Sequence, residues 1–145
     1  MAITIQPLEE ADIPTFVRVE LEAFRTHPRI PMLWPRGYTD DLYAYYDENK
    51  LKTLHEADSR MFKAVDSGSG ETVAVSAWTF ALDPTETAKE EPLDPNEQPP
   101  ANWPNEGNWE MRRFFKIEWE KWRREVLAGK PYICKTRRSH PRTSH

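Results

Sequence analysis

The chain has 145 residues, 38% of them hydrophobic and 30% charged, with six tryptophans and a formal net charge of −4. That is one domain's worth of chain, its aromatic content argues against wholesale disorder, and its mild acidity gives no general attraction to nucleic acid or anionic membrane. No apolar run approaches the roughly 20 residues of a membrane span, "MAITIQPLEEAD" lacks the basic and apolar regions of a secretory signal, and the lone Cys134 cannot close an internal disulfide, so the expected setting is intracellular: cytoplasm first, nucleus second.

In chain order, "AITIQP" alternates Ile3 and Ile5 against Thr4 and Gln6, a short strand stopped by Pro7. The run "EEADIPTFVRVELEAF" follows, with Asp12 expected as N-cap and Pro14 in the first turn, where its missing N–H costs nothing. Ile13, Val17, Leu21 and Phe24 recur at helical spacing and form its core-facing stripe. "RTHPRIPMLWPRG" breaks the helix with three prolines and is expected to hold Trp34 in a loop. Thr39 or Asp40 caps a second helix through "DDLYAYYDENKLKTLHE", with a bend near Asn49. "RMFKAVD" and "ETVAVSAWTFAL" flank "SGSG" and spell an antiparallel hairpin.

Residues 83–106 carry six of the 13 prolines and seven acids against one lysine, and are expected to form a mobile loop. The strongest helix signal follows in "NEGNWEMRRFFKIEWEKWRREVLAGKP". Phe115, Trp119, Trp122 and Val126 share one face, Glu120 and Arg124 pair at i,i+4, Asn108 caps the start and Gly129 the end. "PYIC" opens a last strand. The expected fold is a layered α/β (α+β) domain of order β-α-α-β-β-loop-α-β with a mixed or antiparallel sheet, spanning residues 1–134. Residues 135–145 form a separate basic tail expected to be disordered.

That order of elements, with "IQPLEEADIPTFVRVELEAF", "ETVAVSAWTF" and "NWEMRRFFKIEWEKWRREVLAGKPYI", resembles the N-terminal portion of the GNAT superfamily of acetyl-CoA-dependent N-acyltransferases, in a branch common among fungal members. The resemblance covers residues 2 to about 134. It implies transfer of an acetyl group from acetyl-CoA to a small amine in the complete family domain. After its fourth strand the family carries an Arg/Gln-x-x-Gly-x-Gly/Ala loop, whose N–H groups and following helix hold the CoA pyrophosphate. Here the glycines are Gly37, Gly68, Gly70, Gly107 and Gly129, and none follows that strand. "KTRRS" would bury Lys135, Arg137 and Arg138 in a strand position that is normally apolar, so the family pattern departs near Cys134. The expectation is therefore a truncated, inactive piece with no cofactor-binding residues of its own. The alternative is a non-catalytic interaction protein built on the acetyltransferase fold.

The resemblance places Trp34, Tyr38 and Trp78 near an amine-entry groove, although core packing explains Trp78 as well. Glu20 and Glu22 are either amine-binding carboxylates or a solvated helix face. No general base or nucleophilic triad is assignable, and Cys134, His140 and His145 lack the spacing of a zinc site, so no metal is expected. The tail holds Lys135, Arg137, Arg138 and Arg142; without those four the remaining sixteen cations face twenty-four acids, a balance of −8. Lacking interleaved aromatics, the tail is not expected to bind nucleic acid. Neither a membrane nor a nucleic-acid partner is expected, and the sheet is expected to self-associate through an uncovered edge near Tyr132 and Ile133.

Overall fold

A computed structural model describes residues 2–83, 93–127 and 129–135, with Lys135 by its backbone alone. Alternation and chain punctuation give β1 (Ile3–Pro7), α1 (Ile13–Phe24), a short α2 (Ile30–Leu33), α3 (Asp40–Leu54), β2 (Ser59–Asp66), β3 (Thr72–Ala81), α4 (Trp109–Leu127) and β4 (Tyr132–Lys135). The fold is mixed α/β, with four α-helices among the described residues and one four-stranded sheet in the order β1-β2-β3-β4. Every neighbouring pair is antiparallel. The β2–β3 hairpin runs as expected; Asp66 accepts from Gly68 N–H and Ser69 Oγ, and Gly70 closes the turn at φ 75.

α1 buries Ile13, Val17 and Leu21 from its expected stripe, and Phe16 joins them because the core-facing arc of a helix is wider than one i,i+4 row. With Leu8, Met61 and Ala77 these residues make the core, and Tyr38, Tyr43, Tyr46, Leu54 and Val75 pack around it. Asp12 sits at the N-cap position of α1 but does not cap it through its side chain. Its carboxylate accepts from Glu9 N–H at 3.0 Å and from Lys63 Nζ at 2.7 Å, so a charged partner on β2 takes the oxygens that a cap would use. α3 runs from Asp40 to Leu54 as one helix, and Asn49 Nδ2 donates to the Tyr45 carbonyl one turn back.

Residues paired across adjacent strands point to the same side of a sheet, so the register separates two faces. One holds Val65, Met61, Val75, Ala77, Thr79, Ala81 and Tyr132, and α1 and α3 lie on it. α4 lies on that side too: Arg123 Nη1 donates to Tyr132 Oη at 2.9 Å, both residues being buried. The other face holds Ile3, Ile5 and Pro7 of β1, Arg60, Phe62, Ala64 and Asp66 of β2, Ala74, Ser76, Trp78 and Phe80 of β3, and Ile133 of β4.

Trp34 lies just past α2 as its C-cap, in the connection to α3 as expected, and is buried, 4% exposed. Two expectations need correction. Residues 93–106 are anchored despite their prolines and acids. Trp103 packs on Trp34 and Tyr45, Trp109 Nε1 donates to the Glu97 carbonyl at 2.8 Å, and Glu97 pairs with Lys116 at 2.6 Å. In addition, α4 turns most of the Phe115–Val126 face outward: Trp119, Trp122 and Val126 are exposed and Phe115 is half-buried, while Glu120 and Arg123 are buried. At 100° per residue the buried centre lies roughly a quarter-turn from the Trp119–Trp122 row. The polar side turns inward because its charges have partners there: Arg123 Nε to Glu120 at 3.0 Å, Arg124 Nε to Glu120 at 3.1 Å, and Tyr132. The expected Glu120–Arg124 pair is present, Asn108 Oδ1 accepts from Met111 N–H as a cap should, and Gly129 adopts φ 70 after the helix. The rest of the expected loop, 84–92, and the tail beyond 135 lie outside the described residues.

Candidate functional site

Trp34, Tyr38 and Trp78 do not share a groove. Trp34 belongs to a ring of aromatics built from α2, α3 and the segment leading into α4: its centroid is 5.0 Å from Trp103 and 6.2 Å from Tyr46, and Trp103 lies 5.2 Å from Tyr45 and 4.9 Å from Trp109. These are direct ring contacts. Trp103 Nε1 donates to the Gly107 carbonyl at 3.0 Å, and Asn108 N–H reaches the Leu33 carbonyl at 2.9 Å, which ties the segment to α2. Desolvation pushes the Tyr46 phenol up to about 12, against a small opposing pull from Arg112, so it is neutral at physiological pH.

Tyr38 is half-buried just before α3. Its hydroxyl donates to the Leu21 carbonyl at 2.8 Å, its ring meets Tyr43 edge-on, and Arg25 lies 5.6 Å over it. Burial raises its pKa, and the neighbouring arginine only partly offsets this. The residue staples α1 to the segment before α3. Trp78 is on the far side of the sheet and 38% exposed. The sheet therefore separates it from the other two.

The ionisable groups pair structurally. Glu20 and Lys50 meet at 2.7 Å between α1 and α3, with the lysine 5.0 Å from the Phe16 ring centroid, while Glu22 pairs with Arg25 on the surface at 2.7 Å. Asp47 is raised by burial, with Arg18 pulling the other way. His27 Nδ1 accepts from Arg29 N–H, and His55 lies 3.0 Å from Glu10. Among the described residues no group of three or more His, Cys, Asp and Glu side chains could hold a metal ion, and no helix is long and apolar enough to cross a membrane.

The feature best suited to recognition is the second sheet face. Ile5 is 65% exposed and Ile133 55%, with Ile3 and Trp78 also open and Phe62 and Phe80 half-buried between them. No family model, curated protein or solved structure matches this chain.

Sequence reasoning missed this face, although a signal existed. In "TVAVSAWTFA" apolar residues occupy both phases of the alternation, Val75 and Ala77 in one and Trp78 and Phe80 in the other, which marks a strand apolar on both sides. It also missed Trp103, whose company with Trp109 in seven residues is unlike a solvated linker.

Proposed function

We propose that these 145 residues carry the part of a GNAT-like N-acetyltransferase domain up to its fourth strand, and that as this polypeptide they form a non-catalytic protein. The observation that supports the family reading is the sheet: four antiparallel strands in chain order, with α1 and α3, which connect β1 to β2, packed on one face. In the complete domain an acetyl group would pass from acetyl-CoA to an amine. Residues 136–145 contain no glycine and so do not themselves supply the phosphate-cradling loop.

The cations of that segment are the remaining source of attraction for CoA phosphates. Long basic side chains lose rotamer freedom on binding and are screened within about 8 Å at physiological ionic strength, so they give weak, salt-sensitive contact. Titration of the purified 145-residue protein with acetyl-CoA at physiological ionic strength tests this. The expected result is no saturable heat or fluorescence change. Micromolar binding that survives added salt, or acetylation of a polyamine or aromatic amine, refutes the non-catalytic reading.

A further inference from the structure

We propose that the sheet face left uncovered among the described residues is a self-complementary seam on which two copies of this chain pair face to face, their strands running antiparallel.

The first ground is the composition and size of the face. Its centre is apolar: Ile5, Phe62, Ala64, Ala74, Trp78, Phe80 and Ile133 share one side, and Ile5 and Ile133 are more than half exposed. Four strands about 4.8 Å apart, roughly 13 to 33 Å long, present a face of about 430 Å², most of it apolar. The largest apolar patch of a soluble protein is of that order and is often a contact site. Doubled over two copies, the area is about 850 Å², below the size of standard stable interfaces. The pairing is therefore weak and concentration-dependent, with Kd on the order of 10–100 µM.

The second ground is charge, and it selects both the occupant and its orientation. Along β2 this face begins with Arg60 and ends with Asp66, roughly 20 Å apart, with Phe62 and Ala64 between them. Arg60 also donates to the Ala57 and Ser59 carbonyls and Asp66 accepts from the turn, so the two act on a partner as charges and not as direct hydrogen-bonding ends. A two-fold axis lying in the seam and crossing the strands near Lys63 sets the Arg60 end of one copy over the Asp66 end of the other, twice. An axis running along the strands would instead put Arg60 against Arg60 and Asp66 against Asp66. Aligned sheet-on-sheet packing at about 10 Å tolerates the first arrangement, and charge rejects the second. In the favoured pairing β1 faces β1, and Ile5, paired with Ala64, lies close to the axis and meets its own counterpart. This differs from association through a strand edge, since the seam uses side chains of the face and not the backbone edges of β1 and β4.

Sedimentation velocity of the 145-residue protein from roughly 5 to 300 µM reads the equilibrium across the expected Kd range. The wild-type chain should pass from monomer to dimer. Ile5→Lys places two like charges at the axis and should weaken Kd by about tenfold or more, while its high exposure leaves the thermal transition unchanged. Arg60→Glu and Asp66→Lys should each weaken dimerisation severalfold, and an equimolar mixture of the two should restore it as a heterodimer. A monomer throughout the range overturns the proposal and leaves the face to a different occupant. A dimer indifferent to Ile5→Lys assigns association to an edge and overturns it equally. A dimer weakened by Ile5→Lys but unchanged by either single charge reversal overturns the antiparallel orientation.

Discussion

Gly107 shows how one residue can hold an element in place. A Cβ there would stand 2.5 Å from Cζ3 of Trp34 and 2.8 Å from Cε2 of Trp103, both on rigid rings locked by their neighbours. Neither indole can retreat without breaking a second contact: Trp103 is wedged against Tyr45 and Trp109, and Trp34 against Tyr46. Gly107→Ala should therefore cost about 2 kcal/mol, as overpacking of a filled site does. The check is chemical denaturation of the variant followed by tryptophan fluorescence. An unchanged midpoint would mean that the ring cluster opens more easily than its packing implies. Tyr38 works in the same manner: it was read as a groove-lining aromatic, yet its hydroxyl is committed to the Leu21 carbonyl.

Among the elements, α4 separates what periodicity can predict from what it cannot. Its existence, its Asn108 cap and its stop at Gly129 were all legible, because they depend on local residues. Which side turns inward was not. A hydrophobic row argues for burial only while the alternative face is unpaired, and here Glu120, Arg123 and Tyr132 satisfy one another inside. The stacked pair Trp119–Trp122, at 5.0 Å, is left on the outside. Trp119→Gln with Trp122→Gln should thus change stability by no more than about 1 kcal/mol, whereas Trp103→Ala should cost about 3 kcal/mol or more. Thermal melts of the two variants decide it, and a reversal of that order would place the tryptophan row in the core after all. The strands were readable for the local reason again, and the sheet's second face was overlooked because each strand was read for one buried side. The site residues fared worst: Trp34, Tyr38 and Trp78 are near one another only if the sheet does not lie between them, and its placement is a tertiary fact.

For the molecule as a whole, acid is the informative perturbant. Burial alone would raise Glu120, but hydrogen bonds from Arg123 and Arg124 outweigh it and hold the carboxyl below its ordinary 4.5. Asp12 behaves alike: burial raises it, and Lys63 and the Glu9 N–H more than compensate. A carboxylate lowered on folding adds stability in full above its unfolded value, and that stability disappears as pH falls through the folded value. Glu120→Gln should therefore lower Tm clearly at pH 7, by an amount matching about 2–3 kcal/mol for a broken buried pair. The gap to wild type should close as pH drops below 4.5, where the wild-type carboxyl also takes up a proton. Asp47 has the opposite sign. Burial raises it, and its Oδ1 is buried without a hydrogen-bond partner, so its charge works against folding at neutral pH. Asp47→Asn should raise Tm at pH 7, with the gain fading in acid as the wild-type carboxyl is neutralised. Melting curves of the three proteins from pH 7 to pH 3 separate these effects. A pH-independent gap for Glu120→Gln would show that the loss comes from packing alone, and a drop in Tm for Asp47→Asn at pH 7 would show that Arg18 repays the burial of that carboxylate.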